Sequence, residues 1–148
     1  MLNKTKRNKP SNKRRQTRKR KSKSSKASYY NGIYTGIKGQ CVEYVRRYLI
    51  MNNGVTFSDV DSAFQIPNAQ FTTLNGLDIK MKNDLNPGSL IVWPKNYEKN
   101  SPYGHVAIVK SITPSGITVS ERNYNANKFT RFIKKNNLKN ITILSLPE

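Results

Sequence analysis

The chain of 148 residues is poor in the residue types that carry most protein chemistry: it holds one cysteine, one histidine and one tryptophan. One cysteine excludes an intramolecular disulfide and weakly favours a reducing compartment. One cysteine with one histidine also excludes a zinc site of the Cys/His-cluster kind. Acidic residues are scarce, eight against 27 Lys and Arg, and the formal charge is +19. No apolar run approaches the roughly 20 residues of a membrane span. Leu2 is the only strongly apolar residue before Tyr29. The N-terminus therefore reads neither as a secretory signal, which needs an apolar stretch after the basic residues, nor as an amphipathic presequence. Cytoplasmic, nuclear and virion-associated locations all stay open.

The charge is not spread evenly. Residues 1–27 hold thirteen of the basic residues and none of the acidic ones. Such a segment repels itself and cannot bury enough surface to offset its ordering entropy. The expectation is a disordered basic tail over 1–28 and a single folded domain over 29–148. Within the tail, residues 7–23 have the composition of a nuclear localisation signal, and residues 4–26 that of an arm that binds nucleic acid or another anionic polymer.

The folded part opens with YYNGIYTGIKGQ, whose glycines and Asn31 predict a looped approach. Tyr29, Tyr30 and Tyr34 in it are expected to pack on the first helix rather than stack on bases. The next segment, CVEYVRRYLIMNN, has apolar residues at three- to four-residue spacing and predicts an amphipathic helix from Cys41, capped by Gly54. VDSAFQI (60–66) suggests a short second helix stopped by Pro67. Residues 67–86 read mostly as loop. Leu90–Trp93 is a buried strand, with Trp93 in the core. The stretches 105–112 and 116–123 form a hairpin across Thr113-Pro114-Ser115, and 128–133 and 141–146 are two further strands. One main helix followed by an antiparallel sheet is an α+β domain.

Cys41 opens the helix directly after Gly39-Gln40. A thiol so placed faces the first backbone N–H groups and the positive end of the helix dipole, and both favour thiolate. Gln40 and the N–H of Cys41 are candidates to stabilise an oxyanion. His105 follows Gly104 and starts a strand, where its ring can be aimed across a cleft. A hairpin closing around residue 113 sets His105 opposite Glu121, and a slip by one pair sets it opposite Asn123. Both acceptors share a face because strand side chains alternate. Either can fix the tautomer of the imidazole, giving a nucleophile, a base and an orienting group.

GQCVEYVRR, GSLIVW, GHVAIV and SERNYN, in this order, resemble the four signature blocks of CHAP domains, the cysteine- and histidine-dependent amidohydrolase/peptidase family with a papain-like fold. The resemblance spans about residues 36–125. Within the family it is nearest to the amidase domains of glutathionylspermidine and trypanothione synthetases, through QCVEYVRRYLIMNNGVTFSDVDSAFQI, IVWPKN and the sixteen residues from His105 to Glu121. It implies Cys41 as nucleophile, His105 as base, Glu121 as orienting acid with help from Asn123, and Arg46 in substrate binding, whereas a solvated helix face is the plainer reading of Arg46 and Arg47. Neither metal nor cofactor is implied. Three features depart from what the resemblance implies: the 148 residues hold no ATP-grasp domain, the segment after Asn123 is short, and Tyr124 stands where wall-cleaving CHAP domains often have Trp.

Three functions follow as expectations. The first is hydrolysis of an amide joining a γ-glutamyl or glycyl peptide to an amine, as in a glutathione–spermidine conjugate. The second is an amidase or endopeptidase acting on peptidoglycan. The third is a nucleic-acid-binding or packaging protein with an accessory CHAP body.

Overall fold

The computed structural model describes residues 26–99 and 101–148. Nearly all of the basic N-terminal stretch, and with it the expected disordered tail and its nucleic-acid partner, lies outside the described residues. The first strand starts at Ala27, two residues before the point where composition opens the folded part.

Ala27–Tyr30 (β1) and Ile33–Ile37 (β2) form an antiparallel hairpin. The approach to the helix is thus not a loop. Its two-residue turn, Asn31-Gly32, has φ of 49° and 80°, the left-handed pair that tight hairpins require and that Asn-Gly supplies. Tyr29 and Tyr34 pack on each other edge-to-face, with ring centroids 5.6 Å apart. Both stay exposed, so the expected packing of these two rings on the helix is not what forms.

The helix, Cys41–Asn53 (α1), runs as its periodicity predicts and ends at Gly54, whose φ of 62° gives the left-handed cap. Cys41, Val45 and Leu49 recur every four residues, which puts them on one face. They bury against Leu90, Val92, Val106 and Ile108 of the main sheet. Each such aliphatic side chain contributes roughly 1.5–3 kcal/mol on burial. A second buried row, Glu43, Arg46 and Ile50, is partly polar, and its charged members bond into the β1–β2 hairpin. Thr35 Oγ1 donates to Glu43 Oε2 at 2.7 Å, and Arg46 donates to the Thr35 carbonyl at 2.9 Å.

Val55–Phe57 (β3), Phe71–Thr73 (β4) and Asp78–Ile79 (β5) make a small sheet in order β3-β4-β5. Of these short strands, β4 and β5 occupy ground that reads as loop in the sequence. Between β3 and β4, Ala63–Asn68 forms a 3₁₀ turn, closed at its start by a reciprocal Ser62–Gln65 capping box. Pro67 lies inside this turn rather than ending it.

The main sheet has five strands: Leu90–Trp93 (β6), His105–Thr113 (β7), Gly116–Asn125 (β8), Lys128–Lys134 (β9) and Thr142–Leu144 (β10), in spatial order β10-β6-β7-β8-β9. All four residues of β6 are buried. Leu90 and Val92 face the helix core, while Ile91 and Trp93 join a second core with Ala107, Val109, Ile117, Val119 and Ile133. A strand covered on both faces explains the unbroken LIVW run.

Two irregularities aim the functional end of this sheet. Lys110 is an extra residue on β7, since Val109 pairs with Val119 and Ser111 with Thr118. Further on, Ser120 pairs with Thr130 and Asn125 with Lys128, so four residues of β8, 121–124, face a single residue of β9. Bulges bend a strand and re-aim its side chains. Here the bulge carries Glu121, Arg122, Asn123 and Tyr124.

Gly104 admits β7 into the sheet. Its φ is 70°, and a Cβ there would lie 2.5 Å from the Trp93 carbonyl oxygen and 3.0 Å from Phe64 Cβ. Gly104→Ala is expected to cost about 2 kcal/mol through backbone strain and displaced main chain and to shift His105. Urea denaturation together with turnover checks this: unchanged stability and rate would show that the close approach is not required.

Candidate active site

Cys41 is the first helical residue because Gly39 turns the chain with φ of 88° and Gln40 follows in extended conformation. Gln40 makes no side-chain capping bond, so its amide is not committed to the helix end. The first N–H groups of a helix have no partners within it, and the Cys41 N–H is among them. Cys41 is 9% exposed and opens on a cleft of about 840 Å³ that His105, Gln40 and Asn123 also line.

His105 pairs with Trp93 across β6–β7 and is 3% exposed. Its Nε2 lies 2.8 Å from Glu121 Oε1, which leaves Nδ1 for the thiol. The ring sits among aromatics, with centroids 5.4 Å from Trp93, 5.5 Å from Tyr124 and 6.4 Å from Tyr97. Burial disfavours the imidazolium, but hydrogen bonds and charge from Cys41 and Glu121 outweigh it, and the pKa is raised above the ordinary histidine value. Tyr97 is pushed up to about 12, first by its burial, so it stays protonated beside the ring.

Glu121 is 1% exposed. Besides His105 it accepts two bonds from Arg131, Nε to Oε2 at 2.8 Å and an Nη to Oε1 at 3.0 Å. Burial would raise its pKa. The bonds from His105 and Arg131 overcome that, and the carboxyl is held below its ordinary range. Continuing the observed β7–β8 register would set His105 level with Asn123, yet Glu121 makes the bond. Asn123 sits in the bulge with φ of 63° and lines the cleft instead.

Arg46 is not in the cleft. It is 3% exposed and donates to the carbonyls of Thr35, Phe57 and Ser58 at 2.9, 3.3 and 3.1 Å. Its guanidinium lies 4.2 Å from the Phe57 ring centroid. Its expected role in substrate binding gives way to a structural one: it ties the helix to β2 and β3. Arg47 pairs with Glu43 one turn back at 3.1 Å.

The family model of the CHAP domain matches residues 28–123. The chain belongs to the CHAP domain family. CHAP domains are cysteine amidohydrolases. The bifunctional glutathionylspermidine synthetase/amidase of Escherichia coli (strain K12) is 34% identical over 105 residues, which cover 65% of this chain and 17% of that protein. The glutathionylspermidine synthase of Crithidia fasciculata is 30% identical over 105 residues, covering 64% of this chain and 14% of its own length. The chain thus spans 17% or less of these two curated relatives. Among solved structures, an N-acetylmuramoyl-L-alanine amidase from Staphylococcus aureus superposes with a TM-score of 0.58 at 18% identity, over 82% of this chain and 34% of that one. This likeness shows that the α+β arrangement is the CHAP fold. Among the described residues no helix is long and apolar enough to cross a membrane.

Several residues of this CHAP site escape a reading of the sequence. Arg131 stands ten positions from Glu121 on another strand, and only the register across the bulge brings it there. Asp61, Tyr97, Glu98, Tyr103 and Tyr124 line the cleft from loops and the bulge, where no periodicity marks them.

Arg46→Met should lower stability by about 3 kcal/mol, because buried carbonyls lose their donors, while KM of the folded protein stays unchanged. A raised KM at unchanged stability would restore the substrate-binding role. The ion pair also sets a pH window. Glu121, with a lowered pKa, stabilises the fold above its unfolded value near 4.5, and this is lost as pH falls through the folded pKa. His105, with a raised pKa, stabilises below its unfolded value near 6.5, and this is lost as pH rises through the folded pKa. Denaturant titrations of wild type and Glu121→Gln should therefore differ most between about pH 4.5 and 6.5. A difference that does not vary with pH would contradict the pairing.

Proposed function

We propose that the chain is a thiol amidohydrolase that cleaves an amide between a peptide carboxyl and an amine, with Cys41 as nucleophile, His105 as acid and base, and Glu121 as orienting group. One observation carries this reading: the chain's single thiol and single imidazole line one cleft, and the imidazole's far nitrogen is bonded to a buried carboxylate. Cys41 Sγ attacks the amide carbonyl, and the oxyanion meets the Cys41 N–H and the Gln40 side chain. As the C–N bond breaks, His105 passes its proton to the leaving amine and a thioester remains on Cys41. Water then attacks the thioester while giving a proton to His105, and the C–S bond breaks to return the thiolate. Glu121 accepts the Nε2 hydrogen throughout, which keeps the Nδ1 lone pair towards the chemistry.

The amine side of the substrate is read as cationic. Asp61 and Glu98 line the cleft together with the rings of Tyr97, Tyr103 and Tyr124, and carboxylates beside aromatic faces suit an ammonium group. A polyamine amide of the glutathionylspermidine type fits that lining, and the 34% identity to a relative named as a glutathionylspermidine synthetase/amidase supports it.

A substrate panel tests both levels. Glutathionylspermidine, a muropeptide and a simple γ-glutamyl amide are incubated with wild type and Cys41→Ala. The expected result is release of spermidine by wild type, with a loss of at least about 10⁴-fold in the variant. Turnover surviving in Cys41→Ala would remove the thiol mechanism. Cleavage of the muropeptide alone would keep the mechanism and move the substrate to wall peptides.

A further inference from the structure

We propose that Arg131 is a positioning residue of this site, holding Glu121 ionised at the stage of turnover when His105 carries no charge. The inference rests on the Cys41–His105–Glu121 reading above and deepens it.

Arg131 lies on β9, where it pairs with Val119. Across the β8 bulge it grips both carboxylate oxygens of Glu121, at 2.8 and 3.0 Å. The Oε1 it holds is the one that bonds His105. Its own position is fixed by the Tyr124 ring, whose centroid is 3.6 Å from the guanidinium carbon, and by Trp93 at 5.5 Å. The fork, the stacking and the partial burial are the features that distinguish Arg from Lys at such a place. Arg131 reaches no reacting atom: it touches the carboxylate, and the carboxylate touches the imidazole.

The need for it follows from the reaction sequence. While His105 is an imidazolium, Glu121 has a cation beside it on β7. Once the leaving amine has taken that proton, the imidazole is neutral. A carboxylate 1% exposed would then be an isolated buried charge, and burial alone would drive it to take up a proton. The charged and titratable groups around Glu121 are His105 on β7 with the Cys41 thiol of α1 beyond it, Arg131 on β9, Arg122 next along β8, which donates to the Glu121 carbonyl oxygen at 2.9 Å and lies over the Tyr44 and Phe129 rings, and the Tyr97 and Tyr124 phenols, with Glu98 beyond them on the Tyr124 hydroxyl at 3.0 Å. Of its two arginines, Arg131 is the one that bonds the carboxylate oxygens, whereas Arg122 bonds the main-chain carbonyl. A protonated Glu121 would donate to Nε2, move the imidazole hydrogen to Nδ1, and leave no lone pair facing the water that must hydrolyse the thioester. Losing Arg131 should therefore hurt deacylation more than acylation.

The test compares wild type, Arg131→Met, Arg131→Lys, Glu121→Gln and the Glu121→Gln/Arg131→Met double variant, with glutathionylspermidine or with the muropeptide if wild type cleaves that instead. Arg131→Met is expected to lose roughly tenfold to a hundredfold in kcat, to accumulate thioester on Cys41 detectable by intact mass, and to regain rate as pH is raised. Arg131→Lys should retain the fold and show a smaller loss of the same kind, and it replaces Arg131→Met if that variant does not fold. In the Glu121→Gln background the Arg131→Met loss should nearly vanish, because the arginine acts through the carboxylate. The inference is overturned if the folded Arg131 variants keep wild-type kcat. It is equally overturned if they lose rate without thioester accumulation or recovery at higher pH, or if the loss is undiminished in the Glu121→Gln background. Activity surviving in Cys41→Ala would instead overturn the thiol reading itself, so the two failures are told apart.

Discussion

The site depends on one buried carboxylate with two partners. Glu121 is almost sealed from water, and a lone charge in that position would be untenable. His105 on one side and Arg131 on the other make it tolerable, and each is fixed in turn by that arrangement. The imidazole is held by its far nitrogen, so its near nitrogen points at the cleft. The guanidinium is held by a fork and a ring face, so it cannot wander. Three strands, β7, β8 and β9, meet in this one contact.

The helix brings the other half. Its apolar row fixes how deep Cys41 sits, and its polar row fixes rotation about its own axis. Glu43 and Arg46 bond into the β1–β2 hairpin, and Arg46 also reaches β3 and the residue after it. A helix held only by aliphatic contacts could roll by a fraction of a turn. One gripped through a buried arginine and three carbonyls has a single seat, and the thiol inherits that precision.

How much of this was legible in the sequence depends on the range of the interaction. Cys41, His105 and the helix between Cys41 and Asn53 rest on local signals: a glycine before the cap, a four-residue apolar spacing, a glycine before a strand. These survive folding unchanged. The LIVW strand, the hairpin of 105–112 with 116–123 and the strands near 128–133 and 141–146 are legible for the same reason. The partner of His105 is not decided by the sequence, which leaves Glu121 and Asn123 both open. A hairpin centred on residue 113 points to Glu121, whereas the real turn is Pro114-Ser115 and an extra Lys110 shifts the register. The β8 bulge then brings Glu121 back to the imidazole. Two deviations compensate, and neither is written in periodicity. Arg46 shows the opposite failure. An arginine in an amphipathic helix reads as a surface or binding group, and only the tertiary arrangement of carbonyls around it makes it an interior strut. The β1–β2 hairpin was missed although Asn31-Gly32 marks it, because the glycines around it weakened the strand pattern.

Tyr97, Glu98 and Tyr124 line the cleft of Cys41 and His105 and also a second cavity of about 700 Å³ on the Arg131 side. Among these shared residues the Tyr124 hydroxyl donates to Glu98 at 3.0 Å. The two cavities therefore share part of their lining through side chains. Exchanging these few side chains would alter the space on both sides at once while leaving Cys41, His105 and Glu121 in place.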